Sequence, residues 1–538
     1  MAKLPKTHGL NEPLRHEFHK RPVTRRDFIA QGFKAGLGTV MGTSLLGMLA
    51  QSPAAIAQSV SLSADIENLK NNLCGLATQG AGKIPFMCFD FAGGAGMSGS
   101  NVLVGQRGGQ LDFLSTAGYA RMGLPGDMVP PIVNPDTETN DFINTELGLA
   151  FHSDSGFLRG ILERTSPATR ANINGAVIPS RSENDTGNNP HNPMYAINKI
   201  GADGSLLTLI GSRNSDSGGN SVAPPDLIDL AIRPTKIDRP SDVTGLVDTG
   251  ELVNLLSQAD AVSVMESMVR ISNAKLSNMD TKLANDTAVK DDVRCGYVKS
   301  ADLISRFGDP TTLNPSIDPE IVGNSGIFTQ EEYDGDGEFR KTASVMKLVM
   351  NGFAGAGTVT MGGYDYHTGN RSTGETRDLR AGRCMGAALE YAARMGVPLM
   401  LYGITDGCIS SGGMVDDSIN GRGKLAWTSD NSSTGSTFFL VYNPNGRPNL
   451  IGATPDEQAL HQQIGYFRSD GSVETASSPA ANNVNLLVQT IALNYMALHG
   501  EQANFSALFP GHGLGNATLM DSITAFEPIV SGTIDNPV

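Results

Sequence analysis

Alternating strands and helices are the feature that most limits how this chain can fold. The apolar run IPFMCFDF at 84–91 is typical of a strand buried on both faces, and a glycine-rich turn at 92–101 follows it directly. Further such strands are predicted at 357–361, 397–404 and 438–442. Residues 378–395 carry apolar side chains at helical spacing. Strand, helix, strand in this order requires crossover connections, so we predict an α/β fold with a mainly parallel sheet flanked by helices.

Other segments predict helices and loops outside this sheet. Residues 249–280 show an amphipathic pattern, and we interpret 245–310 as a helical insertion. A further helix is expected at 483–499, and the polar stretch at 180–225 is expected to be a long surface loop. No clear linker divides the chain, so residues 58–538 are predicted to form a single α/β domain with insertions.

Residues 1–57 are typical of a twin-arginine export signal. Arg25 and Arg26 precede a mildly apolar segment that ends in the small-x-small sequence AIA at 55–57. The mature protein is therefore expected to begin at Gln58 and to be periplasmic or secreted. The apolar segment is too polar to span a membrane comfortably, and we expect no transmembrane span in the mature chain.

Charge and cysteine content exclude several classes of function. The chain has a formal net charge of −15, and removal of the basic signal makes it more acidic, which argues against nucleic-acid partners. The cysteines form no CxxC or CxxCH motif, which argues against attached haem and zinc ribbons. After export they could form one disulfide, or they are buried small hydrophobic residues. The five are Cys74, Cys88, Cys295, Cys384 and Cys408.

Acidic residues lie at or near the ends of the predicted strands. These are Asp90, Asp365, Asp406 and Asp430, and His367 follows Asp365 by two residues. Because sites in parallel sheets form at the carboxyl ends of strands, we predict a site there. Carboxylates with an imidazole suit a divalent cation such as zinc or manganese.

Each of these residues also has a simpler interpretation. An aspartate after a strand commonly caps the next helix, which is the role we favour for Asp406 and the alternative for Asp365. His367 could pack against an aromatic neighbour. His191 and His512 lie in loops and could complete a site, although each alone is more often structural.

In the order of several short motifs, the chain resembles the exported family known as domain of unknown function 1501. That family is distantly similar to sulfatases and alkaline phosphatases. The resemblance covers most of the mature chain. GYDYH at 363–367 is similar to the family's GWDTH. The other matching stretches are FH at 151–152, AVIPSRS at 176–182, TSDNS at 428–432 followed by FFLV at 438–441, and 486–510.

The resemblance implies an alkaline-phosphatase-like fold and a metal site, but this chain departs from the family at several positions. Glycine stands where the family has an acid in the turn at 92–96, and Glu183 and Asn431 stand where it has histidines. Asp365, His367 and Asp430 remain, with Asp90 as a further candidate ligand. One ion, or none, is therefore better supported than the two metals of alkaline-phosphatase-like enzymes.

Two classes of function fit these observations. The first is an exported, metal-dependent hydrolase of small-molecule phosphate or sulfate esters, with Ser98 or Ser100 on the glycine-rich turn as nucleophile. The second is a catalytically silent envelope protein that binds a partner or polymer. Loss of ligand positions favours the second class.

Overall fold

The computed structural model describes residues 61–74, 82–183, 187–246, 256–283, 285–307 and 313–538. The predicted export signal at 1–57 lies outside the described residues. The chain divides into two compact units: the described residues of one are 61–74, 245–246, 256–283 and 285–307, and the other contains the rest of the described chain. None of the described helices is both long and apolar enough to cross a membrane.

A seven-stranded sheet forms the centre of the larger unit. Its strands, together with a hairpin that precedes the last of them, are numbered in chain order. They are β1 (Phe86–Phe91), β2 (Ile173–Pro179), β3 (Leu207–Gly211), β4 (Thr235–Lys236), β5 (Ala354–Met361), β6 (Leu399–Thr405), the hairpin strands β7 (Cys408–Val415) and β8 (Leu425–Asn431), and β9 (Ser436–Tyr442).

The spatial order of the sheet is β2-β9-β6-β1-β5-β3-β4. β1 pairs in parallel with both β5 and β6, and β3 pairs in parallel with β5 and β4. β9 is antiparallel to its neighbours β6 and β2. The predicted α/β fold with a mainly parallel sheet is therefore confirmed, with one strand reversed.

Helices cover the sheet and supply most of its packing. The principal ones are α1 (Gly156–Arg164), α2 (Gly337–Met350), α3 (Arg371–Met395) and α4 (Val484–Leu498). Shorter helices span Thr116–Arg121, Pro167–Ala171, Met194–Lys199, Pro240–Thr244, Gln330–Gly335, Pro455–Gln462, Phe505–Leu508 and Ala517–Ser522. Two short strand pairs, Ile143–Asn144 with Phe151–His152 and Val530–Ser531 with Thr533–Pro537, complete the unit.

Alternate residues of β1 enter separate parts of the core, which is why this strand is apolar throughout. Phe86 and Cys88 belong to the same hydrophobic cluster as α4. Phe91 stacks on Phe157 of α1 with ring centroids 5.1 Å apart. Because both faces of β1 are covered, only its ends are open to other groups, and loops with polar side chains lie at its carboxyl end.

The polar stretch at 180–225 was expected to be a surface loop, and this expectation is wrong. It contains the helix Met194–Lys199 and strand β3, and most side chains of that helix are buried. Asparagine and serine side chains in this stretch bond to buried groups of the core. Asn192, for example, donates to Thr358 Oγ1 at 2.7 Å.

The helical unit contains the helices Gln258–Ser277 and Asp286–Phe307, which fall within the segment predicted as a helical insertion. The start of the predicted helix at 249–280 lies partly outside the described residues. Ile66 of the short helix Ala64–Asn68 joins the apolar core of the two long helices. A disulfide links Cys74 to Cys295, and the other three cysteines are free and buried.

Candidate metal site

Two of the predicted ligands lie on the loop after β5, in which buried and more exposed side chains alternate. Tyr364 and Tyr366 are almost fully buried, so Asp365 between them and His367 after them turn towards solvent. The Tyr364 hydroxyl donates to the carbonyl of Arg377 at 3.1 Å. The two tyrosine rings therefore fix the backbone from which both ligands project.

The glycine-rich turn after β1 receives this loop. Gly93 has a φ of +117°, and a Cβ built on it would lie 2.5 Å from the backbone nitrogen of Asp365. A Cβ on Gly96 would lie 2.5 Å from the Trp427 ring, which belongs to β8. These glycines allow the close approach of the two chain segments that carry the candidate ligands.

Asp430 comes from the hairpin strand β8, where it pairs with Ile409 of β7. The sequence predicts Asp430 near the end of a strand of the main sheet, and it did not predict this hairpin. Because β9 is antiparallel to β6, the start of β9 lies at the carboxyl edge of its neighbours, and the hairpin that precedes it lies there too. A hydrogen bond from Gly369 N to Trp427 O joins the loop after β5 to the hairpin.

The structure brings Asp365, His367 and Asp430 together. One ligand atom from each residue lies within 4.8 Å of the other two. Nδ1 of His367 is 2.5 Å from an oxygen of Asp365 and 3.2 Å from an oxygen of Asp430, yet within the described part of the chain it forms no hydrogen bond.

The donor set fits a divalent cation. Two donors on one zinc ion stand at most about 4.2 Å apart, so small side-chain rotations bring all three groups into bonding range. The side chains of His367 and Asp430 are about one-third exposed or less, and that of Asp365 is mostly exposed. Three protein ligands with an open side leave room for a further ligand on the ion.

Asp90 does not join this group. It is fully buried, and its Oδ2 accepts hydrogen bonds from the backbone N–H groups of Asn220 and Ser221 at 2.6 and 2.8 Å. Burial, followed by the nearby charge of Asp406, raises the pKa of the Asp90 carboxyl. The structure thus gives Asp90 a role in anchoring the 217–222 loop, and it does not place it among the three converging ligands.

Ser98 and Ser100 are also buried, each with a hydroxyl that bonds within the protein. Ser98 Oγ donates to Ser436 Oγ at 2.8 Å, and Ser100 Oγ donates to the carbonyl of Met122 at 3.0 Å. Both contacts hold the glycine-rich turn in place. They argue against either serine as the nucleophile.

The expected helix cap at Asp406 is wrong, because strand β7 follows Asp406 where a helix was expected. Its carboxylate accepts from Gly93 N at 2.5 Å and from the side chain of Asn220 at 2.8 Å. Asp406 therefore supports the turn against which Asp365 packs. Asp365 does not cap a helix either, since α3 begins after Asn370.

The remaining candidate histidines have structural contacts elsewhere. His191 Nε2 lies 3.1 Å from the carbonyl of Gly187, and burial lowers the pKa of its imidazole. His512 Nε2 lies 2.8 Å from Ser506 Oγ. Neither residue belongs to the group formed by Asp365, His367 and Asp430.

Asp378 supports the site through Tyr366, and the sequence did not predict this role. It is buried on α3, and it accepts from the Tyr366 hydroxyl at 3.1 Å and from Asn101 Nδ2 at 2.8 Å. Burial and then the charge of Glu375 raise the pKa of Asp378 to about 7. Only its place on a buried helix face, among Gly374, Ala381 and Gly382, could have indicated it from the sequence.

Comparison with known proteins gave no match to a protein-family model, to a curated protein or to a solved structure. The resemblance to the exported family remains a prediction from the sequence motifs.

Proposed function

We propose that this protein is an exported, metal-dependent hydrolase of phosphate or sulfate esters that binds one zinc or manganese ion. The observation that carries the proposal is the convergence of two carboxylates and one imidazole from separate chain segments at the carboxyl edge of the sheet. A divalent cation bound there would polarise an ester oxygen as a Lewis acid.

The residues of the chain would hold and orient the ion. Asp365 and Asp430 would supply negative charge on either side of His367, whose Nδ1 faces both carboxylates. Repulsion between the two carboxylates would be relieved by a cation. Tyr366 and Gly93 would keep the ligand loop in its position, so that binding requires little rearrangement.

The second candidate is a catalytically silent envelope protein that binds a partner or polymer. It is favoured by the internal hydrogen bonds of Ser98 and Ser100, which leave neither hydroxyl as an evident nucleophile. In this case the three-residue site would bind an ion without turnover.

Metal binding and turnover test the proposal together. After treatment with EDTA, the protein is titrated calorimetrically with Zn²⁺ and Mn²⁺, and hydrolysis of p-nitrophenyl phosphate and p-nitrophenyl sulfate is measured. We expect one ion per chain in the parent and in the control His512→Ala, and weak or no binding in His367→Ala and Asp430→Asn. Absence of metal binding in the parent would refute the site, whereas binding without hydrolysis of either ester would favour the silent protein.

A further inference from the structure

A groove along helix α3 is lined by three arginines, although the whole chain is acidic. The cavity has a volume of about 630 Å³, and Arg377, Arg380 and Arg383 lie along it. They are spaced three residues apart, so their Cα atoms rise about 4.5 Å along the helix from one arginine to the next. The net charge of the chain is −15, so three positively charged side chains in one groove contrast with the rest of the protein.

Arg377 is the most available of these cations. Among the residues that the structure describes, its side chain forms no ion pair, while its backbone carbonyl accepts a hydrogen bond from the Tyr364 hydroxyl at 3.1 Å. A Cβ built on Gly363 would lie 2.3 Å from Arg377 Nη1, so the guanidinium lies against the loop that leads to Asp365. A half-buried arginine without a carboxylate partner retains its donors for a ligand.

The other two arginines keep part of their hydrogen-bonding capacity. Arg380 lies 3.8 Å from Asp336, too far for a hydrogen bond. Arg383 uses Nε to reach Glu163 at 2.6 Å. Ser372, Thr373 and Asn420 add further hydroxyl and amide groups to the lining. The Thr376 hydroxyl also lines the groove, but it donates to the carbonyl of Ser372 at 2.9 Å.

The acidic groups near the groove do not neutralise it. Asp336 lines the groove and also caps α2 through the N–H of Glu338. Glu163 is engaged by Arg383, and Asp416 accepts the N–H of Ser372 at 3.2 Å. Phe339 and Leu379 supply an apolar part of the lining. The groove is therefore suited to an anion whose organic portion can rest on that apolar part.

We propose that this groove on α3 is a binding site for ligands that carry two or more phosphate or sulfate groups, and that it binds them without a metal ion. Planar guanidinium groups bind tetrahedral oxyanions through paired hydrogen bonds, and their spacing suits successive charges on one ligand. Because Arg377 touches the loop before Asp365, such a ligand lies beside the candidate metal site. The proposal goes beyond the hydrolase and does not require it.

Binding of two polyanion probes to metal-free protein tests the groove. In EDTA, the parent is titrated with tripolyphosphate and with sucrose octasulfate at low and high NaCl. We expect saturable binding of one or both probes, which weakens as salt rises.

Arginine variants locate the binding. Arg377→Gln and Arg380→Gln should each weaken binding about tenfold or more, because each removes charge-assisted hydrogen bonds. Arg377→Lys should retain part of the affinity. Arg394→Gln is the control, since Arg394 is on the same helix but bonds to Glu320 and the carbonyl of Ser325. Circular dichroism establishes that each variant is folded.

The proposal is overturned if the parent binds neither probe saturably, if the Arg377 and Arg380 variants bind as the parent does, or if binding requires added Zn²⁺. Failure of the hydrolase alone would appear differently, as loss of ester turnover with polyanion binding intact.

Discussion

Substitution of Gly93 by alanine tests whether the glycine-rich turn positions the metal ligands. The added Cβ would lie 2.5 Å from Asp365 N, whereas ordinary contacts begin at 3.4 Å, so the loop must retreat by about 0.9 Å (3.4 − 2.5). A shift of that size is large beside metal–ligand bonds of about 2 Å. We expect the affinity for Zn²⁺ to fall about 10- to 100-fold, as for loss of other groups that orient ligands.

Gly94→Ala is the matched control for this substitution. Gly94 has a φ of +102°, close to the +117° of Gly93, but its Cβ would meet its nearest atom, in Gly407, at 3.5 Å. Both variants should lose stability by about 1–3 kcal/mol because alanine is strained at such angles. Only Gly93→Ala should lose metal affinity beyond this general cost.

The assay is calorimetric titration of EDTA-treated protein with Zn²⁺, accompanied by urea unfolding of both variants. Equal dissociation constants for Gly93→Ala and Gly94→Ala would refute the reasoning. That result would mean that Asp365 is not a ligand, or that its loop moves without cost.

Four further predictions concern stability and export. Burial lowers the pKa of His152 and of His499 to about 4. Each neutral imidazole should therefore reduce the free energy of unfolding by up to about 3 kcal/mol as pH falls from 6.5 towards 4. Urea unfolding should show a smaller reduction over this range for His499→Gln. Asp378 has the opposite pH dependence, because its pKa is raised to about 7. The stability contributed by its protonated carboxyl is lost as pH rises from 3.8 through 7, and Asp378→Asn should reduce this loss of stability. Removal of the disulfide by Cys74→Ala should reduce the free energy of unfolding by about 2–4 kcal/mol and hasten proteolysis of the helical unit. Cys384→Ala is the control, because it removes a free cysteine and leaves the disulfide intact. Replacement of Arg25 and Arg26 by lysine should leave precursor in the cytoplasm on immunoblots, and normal processing would contradict the export signal.

The sequence predicted the central strands because their apolar runs are long and continuous. The run at 84–91 became β1, and the runs near 357–361 and 397–404 became the neighbours with which it pairs. Strand β3 was missed because its surroundings are rich in asparagine, serine and glycine, which is the composition of a loop. Composition could not show that these polar side chains bond to buried groups of the core.

The site was only partly predictable for a related reason. Asp365 and His367 share one loop, so their proximity is local and the sequence indicates it. Asp430 depends on the direction of β9, which the sequence pattern does not fix, because a buried strand reads alike in either direction. Asp90 was predicted as a ligand because it ends a strand, yet its side chain is held by the backbone of the 217–222 loop.

The reversal of β9 explains how the candidate site is assembled. In a sheet with every strand parallel, the residues before β9 would lie at the opposite edge from the loop after β5. Reversal allows β6 and β9 to be joined at the carboxyl edge by the β7–β8 hairpin, which carries Asp430. Burial of Trp427 against Gly96 then seats the hairpin beside the loop of His367.

Packing of the rings around the site holds the two carboxylates close to each other. Two carboxylates repel each other, so their approach to one imidazole has to be stabilised by contacts elsewhere. Those contacts are the buried Tyr364 and Tyr366 on the loop and the buried Trp427 on the hairpin. Because all three rings are fixed by the core, the donors stay close before any ion arrives, and binding need not supply the energy to gather them. A cation entering this site would therefore gain the attraction of both carboxylates at little cost in conformational entropy.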